Sequence, residues 1–138
     1  VDILPPMPDE TLNNSTIAGI DSDGDGVRDD VERYIAGLPY NTNQKKELRN
    51  FAKLLQESLD YTEDREGSIL NTYKLIEHNY CLKSLMSEEI LSEITADLSV
   101  EQYNTKERLL AWARTQINFS GQVTTLDTEE DTYNLYCK

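Results

Sequence analysis

Histidine occurs once in these 138 residues, at position 78, and cysteine only twice, at positions 81 and 137. So small a supply of imidazole and thiol gives no zinc-site spacing and no CxxC pair. The sequence also has no phosphate-cradling glycine loop, no HExxH and no GxSxG, which removes the sequence grounds for nucleotide, zinc-protease and serine-hydrolase chemistry. No apolar run approaches the roughly 18 to 20 residues that a membrane-crossing helix needs. Positive charge is scarce as well, with 13 Lys and Arg against 26 Asp and Glu and a formal charge of -13. Phosphate backbones and anionic lipid surfaces would repel such a chain, so nucleic acid and membrane surfaces are not expected partners, whereas cations or a basic protein are.

What is present fits a single small, mainly α domain of about five helices. The expected division is an extended, Pro-rich N-terminal segment over residues 1–20, containing Pro5, Pro6 and Pro8, and one helical domain over 21–138. The opening VDILPPMPDE lacks the basic and apolar stretches of a signal peptide, and the expectation is a chain that follows a leader or lipid anchor. From Thr11 to Ile20 the run is poor helix material, so a turn or one loose helical turn is expected there.

Helical periodicity then recurs five times. Val31, Tyr34, Ile35 and Leu38 form a first stripe, stopped by Gly37 and Pro39; Leu48, Phe51, Ala52, Leu55 and Leu59 form the clearest one. Ile69, Tyr73, Ile76 and Tyr80 follow a charged TEDREG break. Ser87 then opens a helix carrying Ile90, Leu91, Ile94 and Leu98. Thr105 opens another with Leu109, Leu110, Trp112, Ala113 and Ile117 as its expected core face, ending near Gly121. Beyond Gly121 the composition shifts to Thr, Asp, Glu and aromatic residues, which reads as an irregular tail. A disulfide from Cys81 to Cys137 is expected to tether that tail. Such a bridge closes a loop of about 55 residues and is worth roughly 4 kcal/mol in the chain-entropy account; it also implies an oxidising compartment, hence a periplasmic, envelope-anchored or secreted protein.

The segment DSDGDGVRDDVE, Asp21 to Glu32, satisfies the pattern D-x-[DN]-x-[DN]-G-x5-E without a mismatch. Calcium is a hard cation that takes six to eight oxygen ligands, and alternating carboxylates at Asp21, Asp23 and Asp25 supply them around one point. Gly26 permits the sharp turn, the Val27 carbonyl and Asp29 follow, and Glu32 closes the shell with both oxygens. A solvated acidic turn would account for Asp29, Asp30 and Glu32 as favourable charges in a helix first turn. It leaves unexplained three alternating aspartates packed with two further carboxylates, which repel one another unless a cation or protons neutralise them.

These twelve residues resemble an EF-hand loop and also the DxDxDGxxD units of thrombospondin type 3 repeats. Paired EF-hands carry an apolar residue at the eighth loop position, where this chain has Arg28. The DGVRDD wording is more similar to the thrombospondin-type loops of exported bacterial proteins. More loosely, the loop followed by NTKERLLAWA and SGQ resembles bacterial periplasmic proteins and lipoproteins of unassigned role. The loop resemblance implies one bound Ca²⁺, and the looser one brings no activity with it. The expected role is therefore a non-enzymatic, calcium-binding interaction or adaptor domain of the cell envelope, in which the ion fastens the N-terminal segment to the first helix. The alternative is an acidic inhibitor or immunity-type protein that covers a basic partner. His78, three residues before Cys81, could activate a thiolate only if that cysteine stayed reduced, and no catalytic residue is expected.

Overall fold

In the computed structural model the described residues are 4–122, and among them the only regular elements are helices. A short α1 spans Glu10–Asn14, α2 Asp29–Ala36, α3 Thr42–Ser58, α4 Arg65–Lys83, α5 Glu88–Gln102 and α6 Lys106–Phe119, with a 3-10 turn at Leu59–Tyr61. The five expected helices are α2 to α6. The expected tail after Gly121, and Cys137 with it, lies outside the described residues.

Capping side chains set the boundaries. Asn41 and Gln44 form a reciprocal capping box at the start of α3, Asp64 accepts from the Gly67 N–H at 2.9 Å, and Ser87 and Thr105 accept from the Ile90 and Arg108 amides. Each such cap is worth about 1 kcal/mol. The TEDREG break is thus read locally: Asp64 restarts a helix after the 3-10 turn. Gly37 closes α2, donating its N–H back to Arg33 and Tyr34.

The long α3 is central, with α2, α4 and α5 packed against it and α6 lying against α4. Its buried face is Leu48, Phe51, Ala52 and Leu55, as its periodicity predicts. Val31 and Ile35 of α2, Leu82 of α4, and Leu91, Ile94 and Leu98 of α5 complete the core, together with Val27 from the acidic loop. Full burial of each large aliphatic side chain stabilises by about 1.5 to 3 kcal/mol. Tyr103, at the α5–α6 corner, is buried beside this core and stacks on Trp112 with ring centroids 5.5 Å apart. Its hydroxyl bonds to the Leu55 carbonyl and to Ser58.

Two expected faces differ from those observed. On α6 the buried residues are Arg108, Ala111 and Thr115, whereas Leu109, Leu110 and Ile117 are 52%, 54% and 70% exposed. Ala111 and Thr115 are small enough to let α6 approach closely, and Arg108 shares their face, where it hydrogen-bonds to residues 13–17 of the N-terminal segment. On α4 the deeply buried positions are Ser68, Asn71, Cys81 and Leu82, while Ile69, Tyr73, Ile76 and Tyr80 are half-buried. This helix touches both α3 and α6, so its contact surface is broad and its closest approaches take polar residues that hydrogen-bond across. Asn71 donates to the Leu54 carbonyl at 3.1 Å, and Asn118 of α6 donates to Ser68 Oγ at 3.1 Å. Ile90, expected in the stripe of α5, is also partly exposed.

Candidate metal centre

Loop 21–32 sits where α1, α2 and the α5–α6 corner meet. Its entry is pinned on two sides: the Asp29 N–H donates to the Ile20 carbonyl at 2.9 Å, and the Ile20 N–H donates to Oδ1 of Asn13 in α1 at 2.9 Å. Between these pins the backbone turns through Gly24 and Gly26, both with positive φ. Gly26, at φ 88°, also lies against the stem of Lys53, where a Cβ would come within 2.9 Å of Cε. An L-residue would thus be strained in its backbone and crowded at once.

Short polar side chains organise the turn by accepting its amides. Asp21 accepts from Gly24 at 3.1 Å and from Gly26 at 2.9 Å, Asp25 from Val27 at 2.9 Å, and Asp29 from Ser22 at 3.0 Å. The result is two overlapping groups of carboxylates, Asp21 with Asp23 and Asp29, and Asp23 with Asp25 and Glu32. Within each group the oxygens lie within 4.8 Å of one another. Asp23 belongs to both, so the five side chains expected as ligands from the sequence are brought together. Acidic groups at this spacing could hold a metal ion. Val27 is in the loop as well, with its side chain in the core.

Exposure divides the five. Asp23 and Asp25 face solvent, Asp21 is half-buried, and Asp29 and Glu32 are buried on the first turn of α2. Glu32 Oε2 is shut away from water without a hydrogen-bond partner among the described residues. A buried carboxylate oxygen in that state carries a substantial desolvation cost. Burial foremost, and then the Asp25 and Asp23 charges, push the Glu32 carboxyl up to about 7. Burial also raises Asp21, opposed by its hydrogen bond from Gly26. In both, burial disfavours the ionised form and the neighbouring carboxylates add to it.

Periodicity and spacing pass over the residues that hold the loop in place. Arg28, 1% exposed, grips Asp30 through Nε at 2.5 Å and Nη2 at 3.0 Å and donates to the Gln102 and Glu101 carbonyls at 2.9 and 2.8 Å. The residue that departs from the EF-hand pattern therefore docks the loop onto its own chain, where a paired EF-hand would meet a second loop. Arg108, fully buried, reaches from α6 to the carbonyls of Asn13, Thr16 and Ile17. The loop pattern marks Arg28 only as a departure, and no motif marks Arg108. The one available signal is that Arg108 keeps the helical spacing of Ala111 and Thr115, two small residues, better than that of the neighbouring leucines.

A second group of potential ligands lies elsewhere: Glu47 of α3 with His78 and Cys81 of α4. His78 Nδ1 is 3.4 Å from Glu47 Oε2. Cys81 is the residue expected to bridge to Cys137, a position outside the described residues. Comparison of the chain with known protein families, with curated proteins and with solved structures finds no match.

Proposed function

We propose that the chain binds one Ca²⁺ through Asp21, Asp23, Asp25, the Val27 carbonyl, Asp29 and Glu32, and that the ion has a structural role. The observation that carries this reading is the buried Glu32 oxygen, left without a hydrogen-bond donor among the described residues and grouped with the Asp23 and Asp25 carboxylates. A divalent cation would satisfy that oxygen and offset both the burial that chiefly raises Glu32 and Asp21 and the repulsion that adds to it. Calcium fits better than magnesium, because the loop offers many protein oxygens and Mg²⁺ favours a small, water-rich octahedron.

The mechanical consequence follows from where the ligands lie. Asp21, Asp23 and Asp25 precede α2, and Asp29 and Glu32 belong to its first turn. An ion bound to both sets fastens the N-terminal segment to the helical body. A single loop docked on its own chain has no second site with which to open cooperatively, so stabilisation is favoured over switching. A Cys81–Cys137 disulfide would fasten the other end of the chain in the same spirit and would fit an envelope or extracellular setting rich in calcium. The exposed Leu109, Leu110 and Ile117 of α6 support an interaction or adaptor role over catalysis.

Isothermal titration of the EDTA-stripped protein with CaCl₂ tests the reading. One site per chain is expected, with a dissociation constant on the order of 10⁻⁵ to 10⁻³ M. Nanomolar affinity would contradict the structural role, and absence of heat at millimolar Ca²⁺ would contradict binding itself.

A further inference from the structure

We infer that Arg108 of α6, which lies outside the acidic loop, is a positioning residue that sets its calcium affinity by holding the loop in its ligating shape; the inference rests on the calcium reading above. Its guanidinium is fully buried, and each of its nitrogens is engaged. Nε donates to the Ile17 carbonyl at 3.0 Å, Nη2 to the carbonyls of Asn13 at 2.5 Å and Thr16 at 3.2 Å, and Nη1 to Asn14 Oδ1 at 3.2 Å and Asn104 Oδ1 at 2.7 Å. Four of these five acceptors belong to residues 13–17, the stretch that leads into the loop. A fork with five fixed donors can organise such a stretch, and a lysine with three cannot reach all of the same acceptors.

From Arg108 the constraint passes to the ligands through contacts already described. Asn13, whose carbonyl Arg108 holds, accepts the Ile20 N–H on its side chain; Ile20 in turn accepts from Asp29, and Asp29 accepts from Ser22. The far side of the loop is tied to the same corner, since Asn104 Oδ1 also accepts from Arg28 Nη2 at 3.3 Å. Gly19, at φ 67°, lies between the two arginines, and a Cβ there would collide with the Arg28 side chain and sit 2.7 Å from Arg108 Nη2. Only glycine allows this approach. Electrostatics alone would not select such an arrangement. Arg28 and Arg108 repel each other, burial and that repulsion lower Arg108 to about 10, and Asp30 is the carboxylate that grips Arg28. What the arrangement supplies is geometry: five carboxylates that would otherwise splay apart are held on a fixed frame, so less ordering remains to be done when the ion arrives.

Arg108→Lys separates geometry from charge, because it keeps the positive charge and removes the fork. Calcium titration of the wild-type chain and of Arg108→Lys, at a temperature where far-UV circular dichroism shows both folded, should give an affinity about tenfold weaker in the variant, the scale of one lost hydrogen bond from a charged donor. Terbium luminescence lifetimes in H₂O and D₂O at saturation should report the same number of bound waters in both, because the ligand set is untouched. A residue that served overall stability alone would lower the melting temperature and leave the dissociation constant unchanged, and that result would overturn the inference. Asn104→Ala, which removes the acceptor shared by both arginines, should weaken binding in the same direction by a smaller factor. If Arg108→Lys does not fold, an unchanged affinity in Asn104→Ala is the overturning result. A wild-type chain that binds no Ca²⁺ removes the reading beneath the inference and is recognised before any variant is compared.

Discussion

Around α3 the buried apolar side chains include Leu48, Phe51, Ala52 and Leu55; around the acidic loop and the α5–α6 corner the buried polar ones include Arg28, Asp29, Glu32, Gln102 and Arg108. The first group is stabilised by removal of apolar area from water, which is non-directional and tolerates exchange of one aliphatic side chain for another of similar volume. The second is stable only as far as each buried donor and acceptor finds its partner, and the cost of a missing partner exceeds the gain from a typical bond made. Gln102 illustrates this dependence: its side-chain amide donates to Gln56 Oε1, and Gln56 donates onward to the Ala18 carbonyl at 3.0 Å. A single network thus joins α3, the α5–α6 corner and the segment before the loop. Two oxygens of this region, Gln102 Oε1 within that network and Glu32 Oε2 in the loop beside it, are buried without a partner among the described residues.

The contrast can be broken most forcefully from its apolar side. Leu48→Ala, at a fully buried position, should lower the free energy of unfolding in urea by about 2 to 5 kcal/mol while leaving calcium affinity unchanged below the transition. Leu110→Ser, on the face that periodicity alone would have placed in the core, should alter stability by no more than about 0.5 kcal/mol. Equal effects of the two substitutions would mean that the observed face of α6 is wrong.

At the polar end the lever is pH. In the ion-free chain the Glu32 carboxyl is raised from 4.5 to about 7. A carboxyl whose folded value lies above its unfolded value contributes stability that is full below about 4.5 and is lost as pH rises through about 7. Chemical unfolding in EGTA should therefore show the chain weakening between pH 5 and pH 7.5, and saturating Ca²⁺ should abolish that loss by engaging the ionised carboxylate. Protons compete for the same oxygen, so calcium affinity should fall below about pH 7. A calcium affinity that stays constant across this range would exclude Glu32 from the ligand shell.

The same contrast explains what could be read from the sequence. The apolar body was legible because burial on one face imposes the helical period: the stripe of α3 and the capping residues Ser87 and Thr105 follow from it. The convergence of Asp21, Asp23, Asp25, Asp29 and Glu32 was legible for a different reason, since coordination chemistry imposes its own spacing on a short stretch of chain. The frame around them was not. Arg108 pairs with residues more than ninety positions away, and hydrogen bonds between distant segments leave no period and no motif. Arg28 was visible only as a departure from the EF-hand pattern, and its docking partners Glu101 and Gln102 lie at the end of α5. On α6 and α4 the period failed because small or polar residues occupy the closest helix contacts, leaving Leu109, Leu110 and Ile117 on the outside.

Thermal unfolding in CaCl₂, in MgCl₂ and in EGTA, with the native chain and Asp23→Ala side by side, tests the central claim most directly. Asp23 is exposed and belongs to both carboxylate groups, so its loss should remove calcium binding without disturbing the core. The account predicts a melting temperature that rises with Ca²⁺, moves less with Mg²⁺, and does not respond to Ca²⁺ in Asp23→Ala. A native chain whose melting temperature is the same in millimolar Ca²⁺ and in EGTA would contradict it, and the loop would then be a solvated acidic turn ahead of α2.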